Sequence, residues 1–132
     1  MYPRTQNKAE NRSSSQSERA EQSTLVAWAD GTGLEVLRYL HASLAGEVMS
    51  TGQAIRAKKA GMRPGVPDMF LPVPVAGRHG LWIEIKTRTG RLSPDQERWH
   101  EFLTRHGYVV VVARSWGGAK EALVSYLRGV VE

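Results

Sequence analysis

The chain contains no cysteine and no long hydrophobic run. Without cysteine it can form neither structural disulfides nor zinc–thiolate sites, and this composition fits a reducing compartment. No apolar segment approaches the roughly 20 residues that a transmembrane helix requires. Residues 1–16 are polar and serine-rich, and they lack the apolar stretch of a secretion signal. We therefore expect a cytoplasmic protein that is not secreted and has no contact with a membrane.

Length and composition predict one compact domain. The chain has 132 residues, of which 41% are hydrophobic. This length is sufficient for one hydrophobic core and too short for two stable domains. We expect residues 1–16 to be a disordered tail and residues 17–132 to form the single domain.

Positive charge is concentrated in the middle of the chain. The formal net charge is +5, but residues 53–91 contain eight lysines and arginines against only Asp68 and Glu84, a local surplus of +6. Such a surplus suits contact with the phosphates of a nucleic acid, because bound cations release counterions. From charge alone, a merely solvated basic surface is an equally good interpretation.

Residues 81–87 predict a strand that carries two opposite charges on one face. The segment is apolar, β-branched and aromatic around Glu84 and Lys86, which are two residues apart and so point to the same side. Burying a carboxylate and an ammonium group in such a strand costs several kcal/mol unless something compensates. A divalent cation would compensate, which indicates a catalytic site, although a solvent-facing ion pair is the plainer alternative.

A second carboxylate, Asp68, is expected to face Glu84 across a hairpin. Pro72 and Pro74 should end the strand that follows Asp68. If the hairpin is centred near Ala76, Leu71 lies opposite Leu81 and Phe70 opposite Trp82, and Asp68 then faces Glu84 at a Cβ separation of roughly 5 Å. A centre at Arg78 would give a different register. Two carboxylates so placed repel each other in a bare sheet but suit Mg²⁺ or Mn²⁺, hard cations that prefer oxygen ligands.

Three short motifs surround these residues: Gly-Val-Pro-Asp at 65–68, Ile-Glu-Ile-Lys at 83–86 and Gly-Arg-Leu-Ser-Pro-Asp-Gln at 90–96. They resemble the PD-(D/E)XK nuclease pattern and, more closely, the VRR-NUC (virus-type replication-repair nuclease) family, over residues 17–126. The resemblance implies an α/β fold with a restriction-endonuclease-like core, in which helices flank a mixed central β-sheet. It also implies a metal-dependent DNA endonuclease of a bacterial or virus-infected host cell.

The resemblance further assigns roles to individual residues. Asp68, Glu84 and the Ile85 carbonyl would bind Mg²⁺ or Mn²⁺, and Lys86 would serve the attacking water. Stand-alone members of this size resemble homodimeric enzymes that act on branched DNA such as four-way (Holliday) junctions. Candidate phosphate contacts are the basic residues Arg56, Lys58, Lys59, Arg63, Arg88 and Arg91.

Two further site residues are carried over from the family. Gln96 matches the glutamine that follows the family's Leu-Ser motif, and it could equally be a helix-start residue. The family also has a glutamate on its first helix. Glu21 is our choice, both as catalytic residue and as metal ligand, because it shares the inward face of Leu25 and Trp28, with Glu18 as the substitute.

The remaining pattern completes an α/β order of elements. Hydrophobic periodicity and end signals predict helices and one strand that is expected at the centre of the sheet. Trp116, beside two glycines, is expected to be free to stack on a base or a partner, and residues 43–60 are the candidate dimer surface. The predicted helices are 17–28, 33–42, 53–60, 93–107 and 118–127, and the strand is 108–113.

Two other classes of function are open. A protein with this fold could bind DNA without cutting it, or could be an assembly module whose cleavage needs a partner. Sugar hydrolysis by Asp68 and Glu84 is less favoured, because it would leave both the adjacent lysine and the basic surplus without a role.

Overall fold

The computed structural model describes residues 4–45 and 50–130, with side chains from residue 17 onward. Four helices and a short 3-10 turn surround one four-stranded sheet. No helix in the described part of the chain is long and apolar enough to cross a bilayer. The elements are α1 (Arg4–Gly31), the 3-10 turn (Glu35–Tyr39), β1 (His41–Ala42), α2 (Thr51–Lys59), β2 (Met69–Leu71), β3 (Leu81–Ile85), α3 (Pro94–Arg105), β4 (Val109–Ala113) and α4 (Trp116–Leu127).

The sheet is mixed and has the strand order β1-β2-β3-β4. The β1/β2 and β2/β3 pairs are antiparallel, and β3 pairs with β4 in parallel through the α3 crossover. The predicted α/β architecture is confirmed, but the predicted central position of the 108–113 strand is wrong, because β4 lies at an edge. Both α3 and α4 pack on β4, and this cover accounts for its valine-rich sequence without a further neighbouring strand.

The β2–β3 hairpin has the register that the sequence predicted. Leu71 lies opposite Leu81 and Phe70 opposite Trp82. The chain reverses at Ala76 and Gly77, which both have positive φ (50° and 78°), as in the turns that match the twist of a hairpin. The proline-bounded connection therefore sets which residues of the two strands face each other.

Two helix predictions differ from the structure. The predicted 33–42 helix is a 3-10 turn followed by β1, because His41 and Ala42 pair with the otherwise open edge of β2. Helix α1 begins at Arg4 rather than at Ser17, so helical backbone occupies most of the stretch expected to be a tail, whereas residues 1–3 lie outside the described residues. Residues 4–30 contain neither glycine nor proline, so nothing in them interrupts a helix.

The core lies between the sheet and the α1 and α4 helices. The alternate residues Leu81, Ile83 and Ile85 of β3 are 0–1% exposed and pack with Leu25 of α1 and Leu123 of α4. The opposite face of β3 carries Trp82 and Glu84. The apolar side of β3 thus anchors the strand and leaves its other side for the polar site.

Candidate active site

The hairpin register brings Asp68 and Glu84 together. Asp68 immediately precedes β2, one step beyond the Met69–Ile83 pair, and Glu84 is the next residue along β3. The Oδ2 atom of Asp68 accepts a hydrogen bond from the Ile85 N–H at 2.7 Å. This bond fixes the Asp68 carboxylate beside both Glu84 and the Ile85 backbone, as the predicted register requires.

Glu84 is a buried charged residue, with only 1% of its surface exposed. Burial raises the pKa of Glu84, and the negative charge of Glu18 raises it further, while Asp68 and Lys86 lower it. The pKa of Asp68 is raised from 3.8 to about 8, first by burial and then by the hydrogen bond and the charge of Glu84. Two carboxyl groups in this setting share a proton, and the site is short of positive charge.

Lys86 lies at the end of β3, where its backbone N–H donates to the Ala113 carbonyl of β4 at 2.9 Å. Its positive charge lowers the pKa of three nearby carboxyl groups, those of Asp68, Glu84 and Glu18. The ammonium group is therefore electrostatically coupled to all three acids. It compensates only part of their charge, because burial still raises the pKa of each of them.

Helix α1 contributes Glu18 rather than Glu21 to this cluster. Glu18 Oε1 accepts from the Thr87 N–H at 3.3 Å, and burial raises the pKa of Glu18, with the Lys86 charge opposing and the Asp68 charge adding to that rise. Glu21 Oε2 instead accepts from the backbone N–H of Trp116 at 2.7 Å, in the first turn of α4. The two residues are three positions apart on one helix face, and only the packing of α1 against α4 assigns one to each neighbour.

His100 is a member of the site that the sequence did not reveal. Its Nε2 atom lies 3.2 Å from Oε1 of Glu84, and its side chain is 14% exposed. The pKa of His100 is lowered by burial and by the Lys86 charge, against the influence of Asp68. His100 lies outside the three sequence motifs that pointed to the site. One sequence signal could have identified it: His100 lies four residues after Gln96, so the two side chains share one side of a helix.

Gln96 lies in the first turn of α3 and forms a capping box with Ser93. Its Oε1 accepts from the Ser93 N–H at 2.8 Å, while the Ser93 hydroxyl accepts from the Gln96 N–H at 3.2 Å. Gly65 packs against the same turn, where a Cβ would lie 2.5 Å from the Asp95 carbonyl carbon. The Gly-Val-Pro-Asp segment and the Leu-Ser-Pro-Asp-Gln segment are thus in direct contact.

The candidate phosphate contacts are all exposed. Arg63 lies in the loop that leads to Asp68, and Arg88 and Arg91 lie in the turn that follows Lys86, where the Arg114 guanidinium binds the Thr87 and Gly90 carbonyls. The remaining three, Arg56, Lys58 and Lys59, are in the last turn of α2. Basic side chains therefore adjoin both chain segments that carry the site.

Trp116 is not free, contrary to our expectation. It is half-buried against the core, and the Lys120 ammonium group lies 5.9 Å from its ring centre and 5.4 Å from that of Trp28. Position 116 is the first residue of α4, so the two glycines that follow are helical rather than part of an open loop.

The donor set fits a hard divalent cation. Asp68 and Glu84 supply carboxylate oxygens in a buried setting that raises the pKa of both groups, which is the electrostatic deficit that such a cation would relieve. Within the residues whose side chains are described, no three acidic, histidine or cysteine side chains converge closely enough to hold an ion by themselves. The carbonyl of Ile85 and water would have to complete the coordination.

A mixed sheet whose hairpin pairs two carboxylates beside a lysine is the arrangement typical of PD-(D/E)XK nucleases. The family model of the VRR-NUC domain matches residues 4–116. A solved structure described as a VRR_NUC domain protein is 25% identical, covers 86% of this chain and 89% of its own, and superposes with a TM-score of 0.74. No curated protein matches the chain. The chain belongs to the VRR-NUC domain family, a family of nucleases.

Proposed function

We propose that this protein is a divalent-metal-dependent endodeoxyribonuclease that acts in the cytoplasm. The observation that carries the proposal is the buried Asp68–Glu84 pair beside Lys86. Burial raises the pKa of both carboxyl groups, Asp68 to about 8, so the pair is costly for a protein that does not load a cation. A structural ion pair would not require two acids to meet head to head.

Asp68, Glu84 and the Ile85 carbonyl would hold Mg²⁺ or Mn²⁺. When bound, such an ion polarises a phosphodiester and lowers the pKa of water at the site. Lys86 contributes a fixed positive charge beside the carboxylates, where it orients the attacking water and offsets the negative charge that develops on the phosphate. We assign the role of the helix-1 glutamate to Glu18, because Glu18 is coupled to Lys86 and Asp68 whereas Glu21 caps α4.

We further propose that Arg63, Arg88 and Arg91 bind the DNA backbone. Their positions a few residues before Asp68 and after Lys86 place exposed guanidinium groups on the two segments that carry the site. Gln96 would position substrate or water through its amide nitrogen, since its amide oxygen accepts from Ser93. The α2 residues Arg56, Lys58 and Lys59 would contact phosphates further from the cleavage point.

We propose branched DNA as the substrate and a homodimer as the active form. A dimer interface would cover several large apolar side chains that the 3-10 turn, the residues beside it and α2 leave exposed. Two copies related by a two-fold axis would present paired sites to a symmetric junction. The apolar side chains, each about half exposed, are Leu34, Tyr39, Leu44 and Ile55.

The test is cleavage of a labelled panel of single strand, duplex, flap and four-way junction, each with Mg²⁺, Mn²⁺ or EDTA. We expect metal-dependent cutting that falls at least about 100-fold in Glu84→Gln. The matched control, Glu97→Gln, removes an exposed carboxylate of α3 and should cut like wild type.

Paired symmetric cuts in the junction, together with a dimer in sedimentation equilibrium, would support the substrate and the assembly. Tight binding of DNA without cutting in either metal would contradict the nuclease proposal and favour a DNA-binding or assembly module. Equal cutting by wild type and Glu84→Gln would remove Glu84 from the mechanism.

A further inference from the structure

Glu84 has a neighbour on helix α3 that is held in place from several directions. The Nε2 atom of His100 lies 3.2 Å from Oε1 of Glu84, and the two side chains are 14% and 1% exposed. An ionised carboxylate oxygen can only accept, so this contact requires the imidazole tautomer that carries its proton on Nε2. The contact joins α3 to the strand that carries the proposed metal ligand.

The position of the imidazole is determined by how α3 is anchored. The helix begins at a capping box formed by Ser93 and Gln96, and Gly65 lies against its first turn with no room for a Cβ. Leu103, three residues after His100, is 5% exposed and packs inward. A histidine between these anchors loses little further freedom when it donates to Glu84, so the hydrogen bond is preorganised.

A carboxylate that binds a cation must present a chosen oxygen in a fixed direction. Glutamate has three side-chain torsions, and a hydrogen bond to one oxygen restricts them without occupying the other oxygen. Asp68 is held in the corresponding way, because the Ile85 N–H donates to its Oδ2 atom. Both acids of the pair therefore have a donor from the protein itself.

We propose that His100 is a positioning residue, whose Nε2–H donates to Glu84 Oε1 and thereby orients the other carboxylate oxygen toward a divalent cation. The inference rests on the proposed function and adds to it a residue outside the Asp, Glu and Lys set. It assigns no proton transfer to the imidazole, whose contact is with Glu84.

Three substitutions at position 100 separate this role from simple packing. His100→Gln keeps an amide N–H at about the reach of Nε2, His100→Asn keeps the amide but is one methylene too short, and His100→Leu keeps the bulk without a donor. His106→Gln, at the exposed C-terminal cap of the same helix, is the control for loss of a histidine.

The primary measurement is Mn²⁺ binding, followed by the electron paramagnetic resonance signal of the free ion in the absence of DNA. We expect His100→Leu and His100→Asn to weaken Mn²⁺ binding by about 10- to 100-fold, as is typical when the partner of a ligating residue is removed. His100→Gln and His106→Gln should stay within about threefold of wild type. Cleavage by His100→Asn should recover when Mn²⁺ is raised, so that the half-saturating metal concentration changes more than kcat.

The possible outcomes distinguish failure of this inference from failure of the proposed function. If wild type binds no Mn²⁺ and cuts no DNA, the proposed function fails and the inference fails with it. If wild type binds Mn²⁺ and His100→Asn binds it equally well, only the inference is overturned. The inference is also overturned if His100→Gln binds Mn²⁺ as weakly as His100→Asn. The position of the amide donor would then have no effect, as expected for a residue that only packs. This Gln–Asn comparison decides the matter even if His100→Leu does not fold.

Discussion

Asp68→Asn should make the metal-free protein more stable than wild type at neutral pH and abolish its response to metal. The Asp68 carboxyl group keeps a proton up to about pH 8 in the folded protein, whereas a free aspartate loses it near 3.8. Between these values the folded state binds more protons than the unfolded chain, so the stability of wild type falls as pH rises. Asparagine is neutral throughout, and its amide can still accept from the Ile85 N–H and donate to Glu84.

The size of the expected stability change corresponds to one proton that the folded protein binds and the unfolded chain does not. A difference of one bound proton changes the free energy of unfolding by about 1.4 kcal/mol per pH unit. Between about pH 5 and pH 7, wild type should therefore lose roughly 3 kcal/mol relative to Asp68→Asn. The contribution of Glu18, which is present in both proteins, largely cancels in this difference.

The assay is urea unfolding in EDTA, followed by circular dichroism at three pH values, for wild type and Asp68→Asn. Asp30→Asn, an exposed aspartate near the end of α1, is the control and should run parallel to wild type. Added Mn²⁺ should stabilise wild type and Asp30→Asn but not Asp68→Asn. If the stability difference between wild type and Asp68→Asn is the same at all three pH values, the two carboxyl groups do not share a buried site.

Three other substitutions test separate contacts. Glu21→Ala should cost about 1–2 kcal/mol of unfolding free energy, because it removes the acceptor of the Trp116 N–H, and should leave cleavage by the folded fraction within about threefold. Gly65→Ala should cost at least about 2 kcal/mol in the same denaturation assay, because φ is +90° and the new Cβ would overlap the Asp95 backbone. Arg88→Ala should reduce the slope of log K against log salt for DNA binding by about 0.9 if this guanidinium contacts one phosphate; an unchanged slope would exclude that contact.

Local sequence patterns were sufficient wherever one segment sets its own geometry. The two prolines and the turn at Ala76 and Gly77 specified the hairpin, and the predicted opposition of Leu71 and Leu81 is confirmed. Ser93 and Gln96 specified the start of α3 in the same way. In each case the interacting atoms are a few residues apart, so the pattern is readable without the rest of the chain.

Long-range packing decided the features that were predicted wrongly or not at all. An open edge of β2 recruits His41 and Ala42 into a strand although the preceding leucines have helical spacing. The valine-rich β4 lies at the edge of the sheet, where α3 and α4 cover it, and apolar composition alone does not distinguish burial under helices from burial between strands. Trp116 is packed because α1 and α4 meet there.

From the sequence, a hairpin with its turn near Ala76 was predictable, and for that turn position Asp68 and Glu84 meet, because side-chain direction alternates strictly along each short strand. The packing of the folded chain places Glu18 beside this pair and Glu21 at the start of α4, and it brings His100 to Glu84. These contacts join residues that are 16 to 95 positions apart, and they depend on how whole helices pack rather than on any local pattern.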